Sequence, residues 1–295
     1  MDSKTNFIVK VAPAVFVLLW ATGFVGAKFG TSDADPITFL AIRFAITFAI
    51  LVPLVVVFVR PNISFNQQIV HSMLIGCLIQ AVYLGGVFYA IDRGMAAGIS
   101  SLVVALQPFF TAIFALFLMG ERLPFSKVLC FFAALGGVVL VLFPDLKFVS
   151  ANPGIRLETV AAALLGTIAI SVGAVYQKRY VTDLNLWVAT TAQFAGAAVL
   201  AGLYAVLFED LHIVWSTPVV FSMLWLIFVL SIGAVGLLMY LIRKDSTSSV
   251  ASLFFLVPVV ALFMSWILFG EDLVAMQLLG SAIVVCSVGI VTRLK

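Results

Sequence analysis

Ten apolar runs, each about the length of a membrane-crossing helix, take up almost the whole chain and decide what it can fold into. A helix needs about 20 mostly apolar residues to cross roughly 30 Å of hydrocarbon. Such runs stand at 11–29, 37–59, 69–91, 97–119 and 125–143, and again at 157–177, 184–208, 219–242, 248–269 and 275–292. Short polar turns separate them, apart from the longer stretch 144–156 with Pro153-Gly154 inside it. Lipid offers backbone groups no hydrogen-bond partner, so a spanning chain is helical or a closed barrel. A barrel would alternate with a period of two, and these runs are continuous. Composition agrees: 64% of the 295 residues are apolar and 10% charged, against about 45–50% and 25% in soluble domains. A soluble enzyme, a nucleic-acid binder and a disordered chain are excluded together. The expected fold is all-α and integral to a membrane, with ten transmembrane helices.

The two halves of the chain resemble each other at one fixed offset. Pro108 pairs with Pro258, 150 positions on, and at the same offset Gly23 meets Gly173, Lys28 meets Lys178 and Gly86 meets Gly236. Gly120-Glu121 likewise meets Gly270-Glu271. These matches fall on glycines, prolines and charges, where backbone geometry is most demanding. Each half holds five spans, an odd number, so the second half enters the membrane from the opposite side. Such inverted-topology repeats are a signature of secondary transporters, with the substrate near the midplane between the halves. The division expected is a first repeat over 1–143, a linker over 144–156 and a second repeat over 157–295. Lys4 and Lys10 ahead of the first run look like the start of a leader, but that run takes part in the repeat and is expected to belong to the fold.

Orientation follows from Lys and Arg in the turns. With the N-terminus in the cytoplasm, eleven basic residues lie inside and four outside (Lys28, Arg93, Lys147 and Arg156), which with Arg43 inside a span accounts for all 16. Both termini are expected to be cytoplasmic.

Several stretches resemble a known family. Leu19-Trp20-Ala-Thr-Gly23-Phe-Val-Gly26 in the first span and Thr38-Phe-Leu-Ala-Ile-Arg43-Phe in the second are similar to EamA-type permeases of the drug/metabolite transporter superfamily. So are Gln107-Pro108 and Met119-Gly120-Glu121, echoed by Val257-Pro258 and Gly270-Glu271. The resemblance covers essentially the whole chain. It implies a ten-helix inverted-repeat transporter of the bacterial inner membrane, many relatives of which export amino acids or their derivatives, nucleosides or cationic compounds. It also implies a central cavity lined mainly by helices one, three, four, six, eight and nine, with five and ten packed away from it.

Polar side chains inside spans face protein or water rather than lipid. Gly76, Gln80 and Tyr83 share one helical stripe, as do Ser100, Gln107 and Thr111. Thr167 and Ser171 mark the sixth span, Trp225, Gly233, Gly236 and Tyr240 the eighth, and Trp20 and Thr22 the first. The expected substrate site is Trp20, Thr22, Gln80, Tyr83, Ser100, Gln107, Ser171 and Tyr240. An aromatic and amide lining without fixed charge suits zwitterionic or flat apolar substrates. Pro108 and Pro258 each remove one helical hydrogen bond, from the carbonyls of Val104 and Phe254, and are expected to be hinges beside the cavity. Arg43 lies roughly 9 Å into its span at 1.5 Å per residue. It is expected to have a structural or gating role; snorkelling to the outer surface, pairing with Asp33 or Asp35, or meeting a substrate carboxylate remain open. Its mate at the fixed offset is Gln193. Glu121 and Glu271 are expected to satisfy turn amides.

No Asp or Glu lies near the middle of any span, whereas ion-coupled carriers usually place a carboxylate there, so facilitated export or exchange is expected, with a proton relay from an edge through Glu121, Asp92 or a histidine left open. Cys77, Cys130 and Cys286 are far apart and form no metal or disulfide pattern. His71 and His212 are assigned to two different loops and fit no metal-ligand spacing, and no Walker A sequence occurs. Asn62-Ile-Ser64 matches a glycosylation sequon by chance. No cofactor, no enzyme activity and no nucleic-acid partner are expected; the partners are a small-molecule substrate and the bilayer, around a monomer. The chain reads as a transporter exporting amino acids or related small metabolites by alternating access. The alternatives are a multidrug or nucleoside permease on the same fold, or a passive channel.

Overall fold

The computed structural model describes residues 3–59, 67–95, 97–120, 124–146, 156–244, 247–269, 274–291 and 293. Over these residues the chain forms a bundle of ten helical runs. They are α1 (Ser3–Gly30), α2 (Pro36–Val59), α3 (Gln67–Asp92), α4 (Ala97–Val104 and Gln107–Met119) and α5 (Phe125–Leu146), followed by α6 (Leu157–Tyr180), α7 (Leu186–Phe208), α8 (Thr217–Lys244), α9 (Thr247–Ser252, Leu253–Phe255 and Leu256–Phe269) and α10 (Ala275–Val291). Six of them, α1 from Val11 onward, α2, α3, α6, α7 and α8, are long and apolar enough to cross a membrane; α4, α5, α9 and α10 are shorter apolar helices over the residues described. The outward faces carry large apolar side chains such as Phe58 and Phe117, each 78% exposed. In lipid these are solvated groups. Glu121, Glu271 and Asn62 fall outside the described residues.

Helices α4 and α9 are each interrupted within five residues ahead of their proline. In α4 the amide of Leu106 turns back to the carbonyl of Val103 at 3.1 Å, and a fresh helical segment begins at Gln107-Pro108. In α9 a 3-10 turn over Leu253–Phe255 precedes the segment that holds Pro258. Proline lacks the N–H and crowds the carbonyl four residues earlier, so the preceding turn tightens instead of continuing.

Three helices contain π-helical stretches: Val55–Val59 in α2, Cys77–Val82 in α3 and Leu226–Ala234 in α8. Those of α3 and α8 widen the helices at mid-span. Single π turns of this kind are frequent at functional sites.

Close packing relies on backbone meeting backbone. A Cβ on Gly76 would stand 1.9 Å from the carbonyl oxygen of Gln193, and one on Gly196 would stand 2.2 Å from that of Met73. Only glycine at both positions lets α3 and α7 approach this far. The same device joins α5 to α10, where a Cβ on Gly137 would stand 2.8 Å from Gly280 O. Lipid tails are as apolar as leucine, so dispersion contacts of this kind supply much of helix association in a bilayer. Elsewhere α2 also packs on α7, α3 and α4 pack on α6, and α1 packs on α8 and α9.

Each end of the bundle is tied across the two halves of the chain. At one end the turn after α1 meets the turn after α7. Ala34 and Ile213 form an antiparallel bridge, Val214 N donates to Asp33 O at 2.8 Å and Ser216 Oγ to Asp33 Oδ2 at 2.7 Å. The Glu209 carboxylate receives Ile37 N at 2.9 Å, Thr38 N at 2.6 Å and Thr38 Oγ1 at 2.8 Å. A carboxylate on the free amides of a helix start is favoured by hydrogen bonding and by the helix dipole. At the other end of α8, Gln68 Oε1 receives Leu184 N at 3.1 Å across the halves, while within the second half Lys178 Nζ donates to Ile242 O at 2.8 Å and Arg243 to Leu184 O.

Candidate functional site

A small cavity lies where α1, α2, α3 and α8 converge, between segments from both halves of the chain. Trp20, Gly23 and Phe24 of α1, Arg43 of α2, Gln80, Tyr83, Leu84, Val87 and Phe88 of α3, and Leu226, Leu230 and Val235 of α8 line it. Its volume is about 20 Å³, room for roughly one water molecule. Gln80, Leu226 and Leu230 come from the π-helical stretches of α3 and α8, so the widened turns border the space. Leu230 and Leu226 close it on one side, with a Cβ on Gly23 or Gly26 standing 2.7 Å from their methyls.

The walls are aromatic. Trp20 and Tyr83 lie nearly parallel with ring centroids 6.3 Å apart, and Phe254 of α9 meets Trp20 edge-on at 5.2 Å. Phe254 belongs to the tightened turn ahead of Pro258, so the break in α9 lies beside this contact.

The polar groups are few and buried. Arg43 and Gln80 are each 1% exposed. Arg43 Nε donates to Ser231 Oγ at 3.1 Å, and its guanidinium lies 5.7 Å from the Phe44 ring centre. Arg43 Nη1 and Gln80 Nε2 have no hydrogen-bond partner. Neither Asp33 nor Asp35 pairs with Arg43: Asp33 is engaged by Ser216 and Asp35 Oδ2 by the His212 amide at 2.8 Å. Burial in the bundle also rules out snorkelling.

A second polar seam runs between α4 and α6. Ser171 Oγ contacts Gln107 O at 3.2 Å and Thr167 O at 2.7 Å, at the break of α4. Ser100 Oγ, Gln107 Oε1 and Thr111 Oγ1 are buried without partners. A third polar pair lies on α6 and α7, where Gln193 Nε2 donates to Gln177 Oε1 at 2.9 Å and meets Met239 Sδ at 3.2 Å.

A model of the EamA-like transporter family matches residues 11–143 and 157–293. The chain belongs to the EamA-like transporter family. It is similar to the "Probable amino-acid metabolite efflux pump" of Escherichia coli (strain K12), 28% identical over 93% of this chain and 91% of that protein. The "Uncharacterized inner membrane transporter YedA" of the same organism is 26% identical over 95% of this chain and 89% of its own. A solved crystal structure superposes with a TM-score of 0.75 over 96% of both chains at 21% identity, which speaks for the fold alone. This EamA-like protein is therefore a multi-pass membrane transporter of small molecules.

In this EamA-like transporter the expected site residues are distributed over several places. Trp20, Gln80 and Tyr83 share the cavity, joined by Arg43. Gln107 and Ser171 meet in the α4–α6 seam, and Ser100 is buried on α4 without a hydrogen-bond partner. Thr22 sits apart: its hydroxyl donates to Leu19 O at 2.6 Å and receives Trp225 Nε1 at 3.0 Å. Tyr240 is partly buried against the core but does not border the cavity. Pro108 and Pro258 stand just after the helix breaks. Helix α2 contributes to the lining, which the resemblance does not imply, while α4 and α6 are shut against each other along their seam. Thr167 turns its hydroxyl to Ala163 O of its own helix at 2.8 Å, a local bond that leaves it no donor for a ligand. His71 is not in a loop. It stands on α3, with Nδ1 2.8 Å from Tyr176 Oη and its ring against Tyr180 at 5.2 Å. Among the described residues no group of three His, Cys, Asp or Glu side chains is placed to hold a metal ion.

Sequence reasoning missed Ser231, Phe24 and Phe88. Ser231 carried a signal, as the lone hydroxyl of Leu226–Ala234. The two phenylalanines carried none, because 27 of them are spread through the chain.

Proposed function

We propose that this transporter exports amino acids or related small metabolites across the bacterial inner membrane by alternating access. The observation that carries the reading is the central cavity, bounded by α1, α2 and α3 on one side and α8 on the other. There Trp20, Tyr83, Gln80 and Arg43 gather around one enclosed space. The name of the similar E. coli efflux pump points the same way, and that of YedA points to the inner membrane.

In this reading residues 1–143 and 157–295 are two five-helix repeats of opposite orientation, both termini are cytoplasmic, and the unit is a monomer. The offset of 150 supports it, as do the π-helical stretches of α3 and α8 and the helix breaks ahead of Pro108 and Pro258, which fall at corresponding positions. Rocking of the halves about the two breaks loosens one tied end at a time, and Leu226 and Leu230 move off α1 to admit the substrate. No carboxylate borders the cavity, so exchange runs without a coupling ion.

Counterflow in proteoliposomes tests this. Vesicles are loaded in turn with unlabelled amino acids and their metabolites, and uptake of the matching label is followed without an ion gradient. Saturable, transient accumulation is expected, lost in Trp20→Ala and weakened in Gln107→Leu without loss of membrane insertion. Normal transport by Gln107→Leu removes that residue from the pathway, and accumulation only under a proton gradient contradicts the uncoupled reading. Stepwise conductance in a planar bilayer without trans-stimulation would identify a channel instead.

A further inference from the structure

The central cavity holds a positive charge with no negative one to answer it. Arg43 is fully enclosed, its Nε is taken by a neutral hydroxyl, and its Nη1 has no acceptor. Gln80 brings a second unanswered donor to the same space. No Asp, Glu or His is among the residues lining the cavity, and among the described residues no carboxylate lies within 4 Å of the guanidinium. An ionised group taken out of water is costly unless it is paired. Inside membranes such groups nearly always find a partner or mark a substrate pathway.

Acids at that end of the bundle are engaged elsewhere, Asp92 by its neighbour Arg93 at 3.9 Å. Asp33, Asp35 and Glu209 receive backbone amides and hydroxyls at the tied end of the bundle. Releasing Glu209 to reach Arg43 would strip the start of α2 of its acceptor. Among the described residues, then, no side chain supplies the anion.

We propose that the cargo itself supplies it: a monocarboxylate with a flat apolar body and no free ammonium group, its carboxylate on Arg43 and Gln80 and its body among Trp20, Tyr83, Phe24 and Phe88 once Leu226 and Leu230 have moved off α1. Arg presents a planar fork of N–H donors that matches a carboxylate, and its Nη1 edge is the part left free. The rings offer faces to a planar body. An ammonium group in the same cavity meets no carboxylate and sits beside a guanidinium of like charge. Deaminated or N-acylated products of amino acids fit this chemistry, and the parent zwitterions fit it less well. The inference rests on the reading of the cavity as the transport site and narrows its substrate class.

The test uses three probes that share a phenylethyl body: 3-phenylpropanoate, phenylalanine and 2-phenylethylamine. Their binding to the purified full chain in detergent is measured by titration calorimetry. The expected order is carboxylate over zwitterion by at least tenfold, with no binding of the amine. Arg43→Gln removes that preference and Arg43→Lys keeps part of it. If Arg43→Gln does not fold, Gln80→Leu supplies the same comparison, with the carboxylate bound severalfold more weakly and the amine unchanged. Phenylalanine bound as tightly as 3-phenylpropanoate overturns the inference, as does binding of none of the three. If in either case Trp20→Ala still abolishes counterflow, the cavity remains the transport site. If Trp20→Ala changes neither binding nor counterflow, both readings fall.

Discussion

Arg43 and Ser231 lie 188 residues apart and meet at 3.1 Å, the Nε of α2 donating to a hydroxyl held by the π-helical stretch of α8. The bond crosses from one half of the chain to the other at the edge of the cavity. It leaves the guanidinium Nη1 without a partner. Ser231→Ala leaves Nε unpaired as well, at a cost of about 1–3 kcal/mol for an unsatisfied buried donor. The expected result is a protein that still inserts, melts several degrees lower in detergent and transports more weakly. An unchanged melting temperature would mean that the hydroxyl does not hold Arg43.

Glu209 does comparable work at the tied end. Its two oxygens receive three donors from the first turn of α2, so Glu209→Ala strips that helix start of its acceptor. Loss of a helix cap typically costs about 0.5–2 kcal/mol. Glu209→Gln keeps one acceptor oxygen and is expected to fall between the two. Thermal melts of the three proteins at equal detergent concentration check the order.

The approach of α3 to α7 yields a paired test within one helix. Gly196 lies against the backbone of Met73, whereas a Cβ on Gly202, six positions on, meets nothing within 4 Å. Gly196→Ala forces two backbones apart and is expected to cost about 1–3 kcal/mol, as overpacking does. Gly202→Ala is expected to be neutral, or to stabilise by up to about 1 kcal/mol through helix propensity. Equal effects in folding yield and melting temperature would remove backbone contact as the reason for glycine here.

Removal of the prolines tests the breaks as hinges. In Pro258→Ala the restored amide lets α9 continue as a regular helix, which draws Phe254 away from Trp20. Turnover is expected to fall about tenfold with the half-saturation concentration changed less than threefold, since roughly 1.4 kcal/mol on a barrier is a tenfold rate. Pro108→Ala is expected to behave alike. If both variants turn over normally, the breaks are packing features only.

Hydropathy alone made the helical runs legible, because lipid rewards long apolar stretches and their lengths are set by bilayer thickness. The breaks in α4 and α9 were legible too, since proline acts through its own ring and its missing N–H. The π-helical stretches of α3 and α8 were not, because they arise from packing against neighbours and leave no residue signature. Trp20, Gln80, Tyr83 and Arg43 could be picked out as polar or aromatic side chains in apolar runs. Which of them met was beyond the sequence: Thr22 and Ser100 look just as suitable, and only three-dimensional packing sends Thr22 to Trp225 and leaves Ser100 outside the cavity lining.

The most direct test of alternating access through the central cavity is side-specific labelling of Gln80→Cys. The background would have Cys77, Cys130 and Cys286 replaced by alanine, in right-side-out and inside-out vesicles treated with a membrane-impermeant maleimide. The account predicts labelling from both sides, with substrate slowing the reaction from each. Labelling from one side only, at a rate indifferent to substrate, would contradict it.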